Sequence, residues 1–215
     1  MRQVSIKLMV IAVMTIPLGK AYGQISGTPH DLRSTLSIDQ VCLPCHTPHN
    51  AQTDASGGSM ILWNHEITNQ TFTMYSQFAA PRPSGDNPRN QDAGNSLSGP
   101  SKLCLSCHDG VTAIDNYGGT TGGSIMMGTV NADANLGTDL RNDHPIGLQY
   151  PDSGVNTGFN DPAGFVGVKL VTVNGQARVE CTSCHDPHDY SLGSSEPYLR
   201  RTLSGSILCL ECHNK

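Results

Sequence analysis

Eight cysteines govern what this chain can fold into, because all eight fall into one repeated pattern and none is left over. The pattern is Cys-x-x-Cys-His: Cys42-Leu-Pro-Cys45-His46, Cys104-Leu-Ser-Cys107-His108, Cys181-Thr-Ser-Cys184-His185 and Cys209-Leu-Glu-Cys212-His213. That spacing is the attachment signature of c-type haem. Two thiols one short turn apart reach the two vinyl groups on one porphyrin edge. The histidine that follows swings beneath the ring as the proximal iron ligand. A disulfide framework accounts for an even cysteine count in an exported chain, but not for His after every second Cys. Zinc bound by paired thiols accounts for the cysteines, but not for the regular His or for five further ones. The residues therefore imply four covalent haem c groups on Cys42, Cys45, Cys104, Cys107, Cys181, Cys184, Cys209 and Cys212. Their proximal ligands are His46, His108, His185 and His213.

Four haems need four distal ligands to become six-coordinate, and five histidines remain: His30, His49, His65, His144 and His188. At least four of the five are expected to be distal ligands within the same subunit. Met60, Met74, Met126 and Met127 read as fillers or loop residues. His49 and His188 each stand three residues after a proximal His, with Pro between (His46-Thr-Pro-His49, His185-Asp-Pro-His188). Pro disfavours a continuous helix there, so the second imidazole points away from its own haem and toward a neighbouring one. One of the five is either free or serves a haem of another subunit. His30, close to the start of the exported chain, is the expected one.

The rest of the composition agrees with a core built on cofactor. Aromatics are 5% of the chain, charged residues 14%, and there are 23 Gly and 13 Pro. Long helices and strands are disfavoured, yet low charge argues against a disordered chain. Residues 1–23 read as a secretory signal: Arg2 and Lys7, the apolar run Leu8–Leu18, then Ala21-Tyr22-Gly23. An eleven-residue run is far short of a bilayer span of roughly 20 residues. Cleavage would take the formal charge from −5 to −8 by removing Arg2, Lys7 and Lys20. That balance lacks the basic footprint of a nucleic-acid binder. The mature chain is expected to be one tetrahaem domain, residues 24–215, without a transmembrane segment.

The motifs alternate, which implies two pseudo-repeats of about 28–115 and 140–215. First cysteines are 62 residues apart in the first half (Cys42 to Cys104) and 28 in the second (Cys181 to Cys209). An insertion near 52–100 makes the difference. The expected fold class is a mostly coil multihaem cytochrome c, with short helical turns at the motifs and one or two β-hairpins. The clearest hairpin is Val168–Val173, Asn174-Gly175, Gln176–Cys181 with a type I′ turn. The run Asn116–Leu140 reads as loop. Asp109, Asp186 and Glu211, beside the motifs, read more simply as solubilising surface charges than as residues that tune haem potentials, and Trp63 and Tyr75 as residues able to pack on a porphyrin face.

The strings CLPCHTPHN, ILWNHEITNQTFTMYSQ, SKLCLSCHDGVTA, NDHPIGLQY, VECTSCHDPHD and LCLECHNK resemble the doubled-CxxCH family of exported multihaem cytochromes. The tetrahaem layout is most similar to the OmcE-like outer-surface cytochromes, which polymerise into extracellular nanowires. The resemblance implies bis-His haems in stacked pairs, subunits joined end to end, and a His that ligates a haem in the next subunit. The expected function is electron transport, with no enzyme activity. Partners would be further copies of the chain, other redox cytochromes and extracellular acceptors. A soluble periplasmic shuttle and a multihaem reductase are the alternatives. The reductase needs an iron with a vacant or displaceable ligand, whereas all four motifs here end in His.

Overall fold

The computed structural model describes residues 24–52, 61–75, 97, 99–151, 158–173 and 175–214. The expected signal segment, Met60 and most of the Pro- and Asn-rich part of the insertion lie outside the described residues. The chain is mostly coil. Among the described residues are five short helices, α1 (Arg33–Leu36), α2 (Pro100–His108), α3 (Met127–Val130), α4 (Cys181–Cys184) and α5 (Ile207–Cys212). Three strands accompany them, β1 (Leu148–Gln149), β2 (Val171–Val173) and β3 (Gln176–Val179). Among the described residues no helix is long and apolar enough to cross a membrane.

Three motifs ride on helices and one on a turn. Pro100 opens α2 at a position where a missing N–H costs nothing. Gly99 precedes it at φ +70°, and a Cβ there would lie 3.1 Å from Val173 Cγ2 and 3.2 Å from the Glu180 carboxyl. Helix α4 starts with a reciprocal cap between Glu180 and Ser183 and stops at an extended His185. Helix α5 likewise ends at an extended His213. The first motif closes only one turn, with the Cys45 and His46 N–H groups both donating to the Cys42 carbonyl at 3.2 and 2.8 Å. Pro44 has no N–H with which to extend it.

The expected hairpin is present in shorter form. Strands β2 and β3 pair antiparallel, Val171 with Arg178 and Val173 with Gln176. Strand β1 adds on the other side of β3, Leu148 opposite Val179, so the sheet order is β1-β3-β2. The turn type rests partly on Asn174, which lies outside the described residues; Gly175 has φ +77°. The run 116–140 is not loop throughout. It holds α3 and a 3-10 turn at Ala132–Ala134, where the Asn131 side chain caps the Asp133 N–H at 3.1 Å. Asn in this role is a local cap that a reading of glycines alone passes over.

Among the described residues two small clusters of buried apolar side chains stand out, with Leu103, Ala113, Ile114, Met127, Tyr150 and Tyr198 buried outside them. Phe72, Met74, Leu97, Leu105 and Leu140 form one beside α2. Val168, Leu199 and Leu208 form the other, with Phe165, Cys184, Leu192 and Cys212 against it. Met74 and Met127 are buried fillers, as expected. Helix α2 meets α4 through Ser101, whose hydroxyl donates to Glu180 and accepts the Cys181 N–H at 2.9 Å.

Candidate haem sites

All eight cysteines are free thiols. Among the described residues no three of His, Cys, Asp and Glu converge as a zinc site would require. Five of the thiols are instead shifted toward the neutral form, while Cys181 is lowered, chiefly by its hydrogen bond to Cys104. Burial, then Cys42, pushes Cys45 up to about 11. Burial, then the neighbouring Cys184, does the same to Cys212, also to about 11. Cys107 is raised by burial and next by Cys45. Cys104 is raised by its hydrogen bond to Cys181 and by burial. Cys184 is raised by burial, with Cys181 and Cys209 adding to it. Neighbouring thiols thus meet in chain order: motif one beside two, two beside three, three beside four.

Three of the four motif histidines each have a second imidazole beside them. His46 stands opposite His188 with ring centroids 6.0 Å apart, His108 opposite His30 at 6.1 Å, and His144 opposite His213 at 6.3 Å. One ion bound to two imidazole nitrogens at roughly 2 Å from each sets ring centres about 6 Å apart. The residues fit that demand. Ring orientation fits too, because backbone carbonyls take up Nδ1–H and leave Nε2 for a metal. His46 Nδ1 donates to the Ile61 carbonyl at 2.9 Å, His108 Nδ1 to Ala134 at 2.7 Å, and His144 Nδ1 to Pro145 at 3.1 Å. A His30 ring N–H donates to the Pro187 carbonyl and one of His185 to Pro197. Burial, then the His108 ring, lowers His30 to about 4, which favours the neutral imidazole that binds metal.

The other two distal candidates differ. His65 is 1% exposed, with Nδ1 at 2.8 Å from the Glu66 carbonyl and Nε2 at 3.2 Å from that of Ile114. Its Nε2 also lies 3.5 Å from Cys107 Sγ. With Nδ1–H on the Glu66 carbonyl the neutral ring has no second N–H to donate, so its Nε2 is packed against the Ile114 carbonyl and Cys107 without bonding that carbonyl. His49 is exposed, and among the described residues its ring meets Asn50 Nδ2, 3.2 Å from its Nδ1. Among the described residues no imidazole ring packs on His49 or on His185. Trp63 lies edge-on to His46 at 6.2 Å, and its buried Nε1 has no hydrogen-bond partner among the described residues. A carboxylate on a bound porphyrin is a suitable acceptor for that donor. Tyr75 is exposed.

Sequence reasoning missed the supports. Ile61 and Leu62 are both left-handed (φ +54° and +56°), a conformation unfavourable for a β-branched residue. That bend turns the Ile61 carbonyl onto His46 and the Leu62 carbonyl onto the Thr47 N–H at 2.9 Å. The acidic neighbours are also more than solubilising charges. Asp109 is buried and fully hydrogen-bonded. Asp186 pairs with Arg200 at 2.9 Å. Glu211 accepts the N–H groups of Val166, Gly167 and Val168 at 2.9–3.0 Å and pairs with Arg201 at 2.9 Å, tying that loop to the fourth motif.

Burial works against the Glu211 carboxylate, but those N–H groups and Arg201 outweigh it and hold its pKa below the usual value of 4.5. A folded-state pKa below the unfolded one contributes stability that is present above the unfolded value and lost as pH falls toward the folded one. Acid titration of unfolding should therefore show stability falling below about pH 4.5. Glu211→Gln should flatten that slope, as read by guanidinium midpoints at several pH values. An unchanged slope would contradict the role.

The doubled CXXCH motif family model matches residues 174–215, the third and fourth motifs. No curated protein matches the chain. The motifs imply covalent haem c and a haem-binding cytochrome of the electron-transfer kind.

Proposed function

We propose that this chain is a tetrahaem cytochrome with bis-His irons that polymerises head to tail into an extracellular filament for long-range electron transport. Haem c supplies one-electron Fe(III)/Fe(II) cycling, and bis-His ligation leaves no vacant iron for substrate, so the protein is an electron carrier rather than an enzyme. The residues hold and order the groups. Cys42/Cys45 with His46 and His188 would hold the first, Cys104/Cys107 with His108 and His30 the second, and Cys209/Cys212 with His213 and His144 the fourth. Thiol neighbours in chain order support a single row from first to fourth.

The observation that carries the polymer is what the three pairs leave behind. Each copy has one proximal His without an imidazole opposite, His185, and one exposed imidazole without a partner ring, His49. One lack and one surplus per copy suit a heterologous contact, which gives an open helical polymer when it does not close. This favours His49 over His30 as the residue reaching another subunit. His65, buried with only Trp63 as a ring neighbour and no imidazole opposite among the described residues, reads as the structural histidine of the five.

The test is negative-stain microscopy of purified holoprotein beside its His49→Ala variant, with intact mass to count haems. Filaments in the first, dispersed particles in the second and four haem masses in both are expected. Monodisperse wild-type particles would sink the filament reading and leave the periplasmic shuttle.

A further inference from the structure

Tyr198 occupies an unfavourable backbone position. Its φ is +58°, in the left-handed region that a bulky side chain avoids unless its surroundings over-determine it. The surroundings do so. The Asp186 N–H donates to the Tyr198 carbonyl at 2.7 Å, and Leu199 bridges His185, so the backbone is tied to the third motif. The ring is buried and stacks on the His30 imidazole, centroids 4.3 Å apart and planes 14° from parallel. The hydroxyl accepts the His30 backbone N–H at 2.9 Å and donates to Thr28 Oγ1 at 2.7 Å. Tyr190 packs against Tyr198 at 5.1 Å.

What this grip controls is an angle. The His30 and His108 rings are crossed by 62° and His144 and His213 by 69°, whereas His46 and His188 are only 22° apart. Two imidazoles on one iron donate into its dxz and dyz orbitals. Near-parallel rings split those orbitals and give a rhombic low-spin spectrum. Crossed rings leave them nearly equal and give a strongly anisotropic one. Ring plane is therefore an electronic variable, and for His30 the Tyr198 face adds to the hydrogen bond from its ring N–H to Pro187 in opposing rotation about a metal bond.

We propose that Tyr198 is a positioning residue that fixes the ring plane of His30 and so holds the second haem in crossed axial geometry. The proposal rests on reading His30 and His108 as one axial pair. Electron paramagnetic resonance of the oxidised holoprotein tests it with Tyr198→Leu, Tyr198→Phe and His30→Ala. Wild type should contain both rhombic and strongly anisotropic low-spin signals. Tyr198→Leu should shift one haem's share of the anisotropic signal toward smaller anisotropy and leave the rhombic signal in place. Tyr198→Phe keeps the stack and loses both hydroxyl bonds, so it should shift the same signal by less. It decides the matter if the Leu variant does not accumulate. If no accumulating Tyr198 variant shifts a signal, or if all haem signals shift together, the positioning role is overturned. His30→Ala separates the two layers. If it leaves every low-spin signal intact, the axial pairing is wrong and the proposal falls with it. If it removes one signal while the Tyr198 variants move none, the pairing stands and only the positioning role fails.

Discussion

Produced without haem attachment, the chain should fail to fold and be digested completely under limited proteolysis that leaves the holoprotein intact. The described residues bury fourteen apolar side chains, eight of them in clusters of five and three, with Ile146 at the margin of the first and four residues at that of the second. Ordering a residue costs roughly 1–2 kcal/mol of backbone entropy, and a domain has only about 5–15 kcal/mol of net stability to lose. Clusters of that size cannot offset the ordering of a mostly coil chain with so many glycines. Porphyrin faces would supply the missing apolar surface, and the covalent bonds keep it in place. Blocking cytochrome c maturation, or replacing all eight Cys by Ala, should give the same outcome. A protease-resistant haem-free form with native near-ultraviolet circular dichroism would refute the argument.

Asp109→Ala should be among the most damaging single substitutions away from the Cys-x-x-Cys-His residues, at about 3–5 kcal/mol. Asp109 is 1% exposed. Oδ1 accepts the Val111 and Thr112 N–H groups at 2.9 and 2.8 Å, and Oδ2 accepts the Thr68 and Thr112 hydroxyls at 2.6 and 2.8 Å. Thr68 in turn is tied to α2, its N–H donating to Ser106 Oγ at 3.0 Å. One carboxylate thus joins the end of α2, the turn after His108 and the segment leading from His65. Ala would leave the two N–H donors, and the hydroxyls that cannot rotate to new partners, buried without acceptors. Asn keeps one oxygen for the two N–H groups, and its amide can donate to hydroxyls that rotate, so it should cost about 1–2 kcal/mol. Guanidinium unfolding followed by far-ultraviolet circular dichroism should rank Ala below Asn below wild type. An Ala variant within about 1 kcal/mol of wild type would count against this network.

The acidic neighbours show where local reading stops. Asp109 and Glu211 look alike beside their motifs, as charges in short polar strings. One anchors a segment 41 residues away through Thr68, the other a loop 45 residues away through Val166. Such partners have no periodicity in sequence, because they are set by which coil segments pass each other. The hairpin was legible because β-branched residues and Asn174-Gly175 act locally. The left-handed bends at Ile61, Leu62 and Tyr198 were not, since local preference argues against them and only tertiary contacts hold them.

The amino-acid sequence by itself determined the chemistry of attachment. Thiol spacing and the following His are a local geometric requirement, met within one turn of chain wherever it lies. Tertiary structure decided which imidazole faces which. His30 is 78 residues from His108, His46 is 142 from His188 and His144 is 69 from His213, and nothing short-range encodes those meetings. They follow from packing α2 on α4 and laying coil over both. Packing also sets each ring's plane, which is why residues outside the motifs, such as Tyr198, come to matter.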